Sequence, residues 1–216
     1  MLFREDIPKR LRNTQLAELK LSGFIKALAL VLLFGASLGA GRAHGNPDVW
    51  VTAEVIFRFE DTRVSGLTYV WRFDDYYSSR TIQTYDSNQD GILGRQEVAR
   101  LRADSFDPLA QFDYYVHIWE NGEKRQIPGI EDFNASIESA KLLYRFTVPL
   151  IPPADPSTNP IAASLFDDNT VLDFRFSETD FLLVDGSMGS DCKFRLAPGK
   201  GTRSSHTQVI TLNCGR

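Results

Sequence analysis

Between Asp86 and Glu97 the sequence reads DSNQDGILGRQE, with oxygen-bearing side chains at its first, third, fifth and twelfth places. These are Asp86, Asn88, Asp90 and Glu97. That spacing suits a hard cation. Calcium takes roughly six to eight oxygens, and a loop curling on itself aims alternate side chains inward. Gly91, in sixth place, permits the sharp positive-φ turn that a Cβ opposes. Ile92 follows and lends its backbone carbonyl. Gly94 has no side-chain oxygen, so a water completes that vertex. Glu97 arrives on the first turn of the next helix as a bidentate carboxylate. The expected Ca2+ ligands are thus Asp86, Asn88, Asp90, Ile92 and Glu97. Ile92 and Leu93 are both expected to pack on the core and join the loop to the fold. The charge set is modest and the sequence shows no second copy of the loop. Affinity should be weak, about 10⁻⁴ to 10⁻³ M, as in extracellular modules. Such a site is filled at millimolar calcium and braces the fold rather than switching it. The competing reading is a solvated polar turn.

Two helices must position those oxygens. DDYYSSRTIQTY before the loop and GRQEVARLRADSFDPLAQF after it have helical spacing. Tyr77, Ile82 and Tyr85 line one helix. Val98, Leu101 and Phe106 line the other, until Pro108 bends or ends it. The expected element is an EF-hand-like helix–loop–helix insertion over about 74–107.

Strands surround the insertion. In VWVTAEVIFRFED (49–61), Val49, Val51, Ala53, Val55, Phe57 and Phe59 alternate with Trp50, Thr52, Glu54, Ile56 and Arg58. Period two marks a half-buried strand. RVSGLTYVWRF (63–73) reads as its hairpin partner. FDYYVHIWENGEKRQI (112–127) contains Asn121-Gly122, a strong hairpin turn. KLLYRFTVPL (141–150) is another strand, followed by the proline-rich loop IPPADPSTNP (151–160). NTVLDFRFSETDFLLV (169–184) supplies one or two more, and CKFRL with TQVITLNC forms a closing hairpin. The expected fold is mostly β, an antiparallel sandwich of about seven to nine short strands.

The first 43 residues read as a secretory signal peptide, so the expected domain is 44–216 and its location the periplasm. A basic leader precedes the apolar run ALALVLLFGASLGA (27–40), and small residues follow. The run is short of the roughly 20 residues that span a bilayer. Removing residues 1–43 leaves 17 basic against 25 acidic residues, about −8 with His neutral. That charge disfavours nucleic acid and anionic membrane surfaces and is compatible with cations. Cys192 and Cys214, in an oxidising compartment, are expected to pair.

The three histidines are His44, His117 and His206. His117 falls within strand alternation and reads as a strand residue; His206 lies in a polar loop. Export would leave His44 at or near a new N-terminus, where amine and imidazole can chelate copper or nickel. Transition-metal carriage through His44 is the alternative function. The patterns G-x-S-x-G, H-E-x-x-H and C-x-x-C are absent. Asp74-Asp75 and Asp167-Asp168 fit helix caps and turns. No enzyme activity is expected.

Four segments together resemble a bacterial family of unknown function, domain-of-unknown-function 1007. They are AHGNPDVWVTAEVIFRF (43–59), GLTYVWRFDDYYS (66–78), the loop with GILGRQE, and FDYYVHIWENGE (112–123). The resemblance covers most of 44–185. It implies a signal peptide, a β-rich body, an EF-hand-like insertion and a periplasmic role beside an uncharacterised ABC-type transport system, near nickel, cobalt or zinc transporters. Relatives open with a histidine pair in an AHPHVWV-type segment. Here His44 matches the first, while Gly45-Asn46 and Asp48 replace the rest. The function this implies is an exported calcium-binding accessory protein, with calcium and a membrane metal transporter as partners.

Overall fold

The computed structural model describes residues 48–169, 171–199 and 207–215. The expected signal peptide, His44 and His206 lie outside these residues.

Strand β1 (Val49–Glu60) turns at Asp61 into β2 (Arg63–Phe73). The pair is antiparallel, with Val55 opposite Tyr69 and a bulge at Arg58/Phe59. The expected alternation is present with one departure: Val51, Ala53, Val55, Phe57 and Phe59 are buried and Trp50 and Thr52 face solvent, but Ile56, expected on the outer face, is buried as well. Helices α1 (Asp75–Tyr85) and α2 (Arg95–Leu101) come next along the chain. The second stops earlier than its spacing predicts. A wider helical turn runs over Arg102–Phe106, and tight turns over Asp107–Tyr115.

Those turns also delay the next strand. Phe112–Tyr115, expected to be extended, is not: Asp113, Tyr114 and Tyr115 have φ of 52°, 54° and 55°. Aromatic packing favours that path. Phe106 stacks on Tyr114 at 5.1 Å and Phe112 on Tyr115 at 5.5 Å. β3 (Val116–Glu120) then meets β4 (Glu123–Lys124) around Asn121-Gly122, whose φ values of 50° and 83° suit the tight hairpin turn. The remaining strands are β5 (Glu131–Glu138), β6 (Lys141–Ala154), β7 (Ile161–Leu165), β8 (Leu172–Phe176), β9 (Leu182–Asp185), β10 (Lys193–Pro198) and β11 (Gln208–Asn213). β6 runs through Pro152 and Pro153, two of the four prolines expected to lie in a loop.

The protein is mostly β, in two sheets. One has the order β5-β6-β2-β1-β8 with β9 also on β1; the other is β10-β11-β7-β3-β4. Pairing is mostly antiparallel. The departure from expectation is at β1, which pairs in parallel with β8 along its first half and with β9 further on. The buried faces of both sheets contribute to one apolar cluster. Trp71 of β2 packs edge-on to Phe146 at 4.9 Å, and Phe57 of β1 reaches Phe194 of β10 at 5.1 Å. Cys192 and Cys214 form a disulfide flanking the β10/β11 hairpin, as expected.

Candidate functional site

The loop at Asp86–Glu97 is held at both ends. At its entry, Asp74 caps α1: one carboxylate oxygen accepts from the Tyr77 N–H at 2.9 Å, the other from the Trp50 N–H at 2.8 Å. The start of α1 is thus bound to the start of β1. Tyr77 stacks on Phe73 at 4.6 Å. The buried Ser78 hydroxyl donates to the Phe73 carbonyl and accepts from the Leu142 N–H of β6 at 3.0 Å. At the loop's exit, Leu93, Leu101 and Phe106 are buried. Phe106 sits among Phe133, Tyr144 and Phe146 at centroid distances of 4.1, 5.8 and 5.0 Å.

The two helices also grip each other. The Arg100 guanidinium donates to the Thr84 carbonyl and lies over the Tyr85 ring at 5.0 Å. The Tyr85 hydroxyl reaches Ser105 Oγ at 3.0 Å. An 11-residue and a 7-residue helix therefore hold the ends of the loop as a clamp.

Within the loop the first three expected ligands come together. Asp86 is largely buried at 6% exposure, and its carboxylate accepts from the N–H groups of Asp90 at 3.2 Å and Gly91 at 3.0 Å. Asn88 Oδ1 lies 3.3 Å from the same Asp90 nitrogen, so the oxygens of Asp86 and Asn88 converge on one point. Asp90 takes the Ile92 N–H at 2.8 Å on one oxygen and the Asn88 amide at 2.7 Å on the other. Gln89 and Gly91 make the tight curl, with φ of 58° and 79°. A side chain at Gly91 would meet no neighbour; the requirement there is conformational.

Glu97 joins the two ends of the loop. Oε1 accepts from the Ser87 hydroxyl at 2.6 Å and the Ser87 N–H at 2.7 Å, and Oε2 accepts from the Gly94 N–H at 2.9 Å. The last bond is the glutamate half of a capping box at the start of α2. Led by the Ser87 hydroxyl, these bonds hold the pKa of the Glu97 carboxyl down to about 2. Among the described residues, no three His, Cys, Asp or Glu side chains are already grouped as a metal cage.

One packing expectation is overturned. Leu93 is buried, but Ile92 is 68% exposed, so Leu93 alone joins the loop to the core. Adjacent residues on a turn point apart, and the carboxylate of Asp90 fixes the Ile92 N–H on the loop's inner side. Ser87 was missed by the liganding pattern because second place in the loop faces away from an ion. Its signal was a hydroxyl next to Asp86, able to reach a carboxylate arriving from the following helix.

Elsewhere, the cap and turn readings hold. Asp167 accepts from the N–H groups of Asn169, Val171 and Leu172 at 2.8, 3.0 and 3.2 Å. His117 is a strand residue. Its ring stacks on Phe166 at 3.6 Å and its Nε2 lies 3.2 Å from the Phe166 carbonyl. Burial pushes its pKa down.

Fold and loop define a two-sheet, mostly β protein with a clamped polar loop between two helices. The chain belongs to the DUF1007 family, proteins of unknown function, whose model matches residues 29–213. It is also similar to an uncharacterized 15.5 kDa protein in the trpE 3′ region of Spirochaeta aurantia. The two are 30% identical over 112 residues, covering 50% of this chain and 79% of the relative.

Proposed function

We propose that the chain is an exported calcium-binding accessory protein, a β-sandwich braced by one EF-hand-like loop and serving a metal-transport or cell-envelope system. The observation that carries the calcium reading is the convergence of the Asp86 and Asn88 oxygens on the Asp90 N–H, inside a curl clamped by two helices. A donor set of carboxylate, amide and carbonyl oxygens, with no sulfur or imidazole, suits a hard cation. Asp86, Asn88, Asp90, the Ile92 carbonyl and Glu97 would hold the ion. Calcium would supply positive charge where three carboxylates share one short loop. The protein's part is to keep those oxygens close. Asp86 is fixed by two backbone N–H groups, and Glu97 by Ser87 and Gly94.

With its loop filled, the protein is a static brace and not a sensor: Leu93 and Phe106 already lie in the core beside the loop. The link to a membrane metal transporter rests on the family resemblance and on the acidic balance of residues 44–216. Isothermal titration of the full chain with calcium tests the site. Saturable binding near 10⁻⁴ to 10⁻³ M is expected. Retention of that binding in Glu97→Gln would remove Glu97 from the site, and no heat of binding in the wild type would end the calcium reading.

A further inference from the structure

Residues 132–136 read DFNAS. Asn134-Ala135-Ser136 is an N-x-S triplet with no proline at its centre, the pattern of an N-glycosylation acceptor. No other asparagine in the sequence heads such a triplet. The fold puts it within an enzyme's reach. It lies in β5, the free edge of the first sheet, which pairs with β6 alone among the described strands. Phe133 and Ile137 pack on the core and Ala135 is buried, so alternation sends Asn134 and Ser136 to the outer face together. Asn134 is exposed, and among the described residues its side-chain amide has no hydrogen-bond partner.

The neighbours leave the triplet open. The Ser136 hydroxyl reaches Glu138 only at 3.5 Å, the outer limit of a hydrogen bond, so it can turn to a new partner. Opposite Asn134 on β6 stands Arg145, which is itself exposed. Asp132, two residues before Asn134, has φ of 52°, and the ladder to β6 is irregular between Glu131 and Asn134. The backbone entering the triplet is therefore not held in regular pairing. The Asp132 carboxylate lies 3.5 Å from the Arg58 guanidinium, and both side chains are well exposed, so this ion pair holds it weakly. Carboxylate, amide and hydroxyl thus follow one another at every second residue. That row suits a transferase that grips an extended acceptor and meets its carboxylate with a basic side chain.

We propose that Asn134 is an N-glycosylation site, charged from a lipid-diphosphate-linked oligosaccharide and recognised through Asp132 and Ser136. The proposal rests on the export reading and is independent of calcium. Asn134 Nδ2 bonds to the anomeric carbon of the first sugar, and the C–O bond from that carbon to the diphosphate breaks. The electron pair leaves with the lipid diphosphate, and the Nδ2 proton passes to a base of the transferase. A glycan at this position lies over the free edge of β5, where it would keep foreign strands from pairing. Peptide mass spectrometry of the full chain, purified from the cells that produce it, tests the site. The peptide holding Asn134 should carry an added oligosaccharide mass. Asn134→Gln, at an exposed position, should lose that mass with no change in melting temperature. Ser136→Ala should lose it, Ser136→Thr should keep it, and Asp132→Ala should lower the occupied fraction. A bare Asn134 peptide, a mass that survives Asn134→Gln, or undiminished occupancy in Ser136→Ala or Asp132→Ala would each overturn the proposal. The N-terminus read in the same experiment separates the two readings. A bare Asn134 in a chain lacking residues 1–43 leaves export standing, and a bare Asn134 in a chain that retains them removes export as well.

Discussion

Two turns in this protein are led by a largely buried aspartate, and only one is a candidate ion loop. Asp167 and Asp86 are 2% and 6% exposed. Each spends its carboxylate on backbone N–H groups, three at Asp167 and two at Asp86. The two turns differ in the residues downstream of the aspartate. After Asp167 the chain turns at Asp168-Asn169 and reaches β8 at Leu172. After Asp86 it curls through Gln89 and Gly91, and Asn88, Asp90 and Glu97 bring further oxygens to the same short segment. A buried aspartate heading a turn is therefore a folding device in both places. The later oxygens, and a helix that returns one of them, distinguish the loop.

The sharpest test of that contrast is Asp167→Ala. It leaves three N–H groups without their acceptor in a part-buried turn, and should cost about 3 kcal/mol whether or not calcium is present. Chemical denaturation with and without chelator measures it. Asp86→Ala removes two such acceptors and should cost about 2 kcal/mol in chelator, with the gap to wild type widening as calcium is added. Equal calcium dependence for both variants would erase the distinction between the turns.

A smaller effect is the calcium shift itself. At about tenfold excess over Kd, binding to the folded state alone stabilises by about 1.4 kcal/mol. Thermal melts of wild type should show it, melts of Glu97→Gln should not, and melts of Asn134→Gln should retain it.

The smallest effect is at low pH. The pKa of the folded Glu97 carboxyl is held near 2, below its ordinary 4.5, so the carboxylate's contribution is complete above about 4.5 and fades as pH falls toward 2. Melting temperature in chelator should drop less steeply across that window in Ser87→Ala than in wild type. An unchanged slope would mean that the Ser87 hydroxyl does not hold Glu97.

Much of this was legible because it is local. The alternation of Val51, Ala53, Val55 and Phe57 declares β1 and its buried face. Asn121-Gly122 declares a hairpin. The loop's inward turn comes from residue type and spacing. What stayed hidden depends on partners. β7 is IAASL, whose alanines have little strand preference; it is a strand because β3 and β11 flank it. β5, EDFNASIE, is the exception: Phe133, Ala135 and Ile137 alternate with polar residues and face the core, so the period-two signal was there although the strand was not among those expected. The early end of α2 reflects Phe106 being drawn into the aromatic core, a contact made with residues far along the chain. Ile92 and Leu93 are both apolar, and only the folded turn decides which of them faces inward.

The parallel pairing of β1 has a consequence for the order of assembly. β1 and β2 are the first of the described strands to emerge during synthesis, yet the other edge of β1 is completed by β8 and β9, which end at Asp185. Until then a 12-residue strand rich in valine and phenylalanine has one open edge, the kind that recruits foreign strands. An early ribosomal stop, or a chaperone leaving too soon, exposes the same edge. The hazard in making this protein is thus concentrated in the strand that starts the fold and is among the last to be closed.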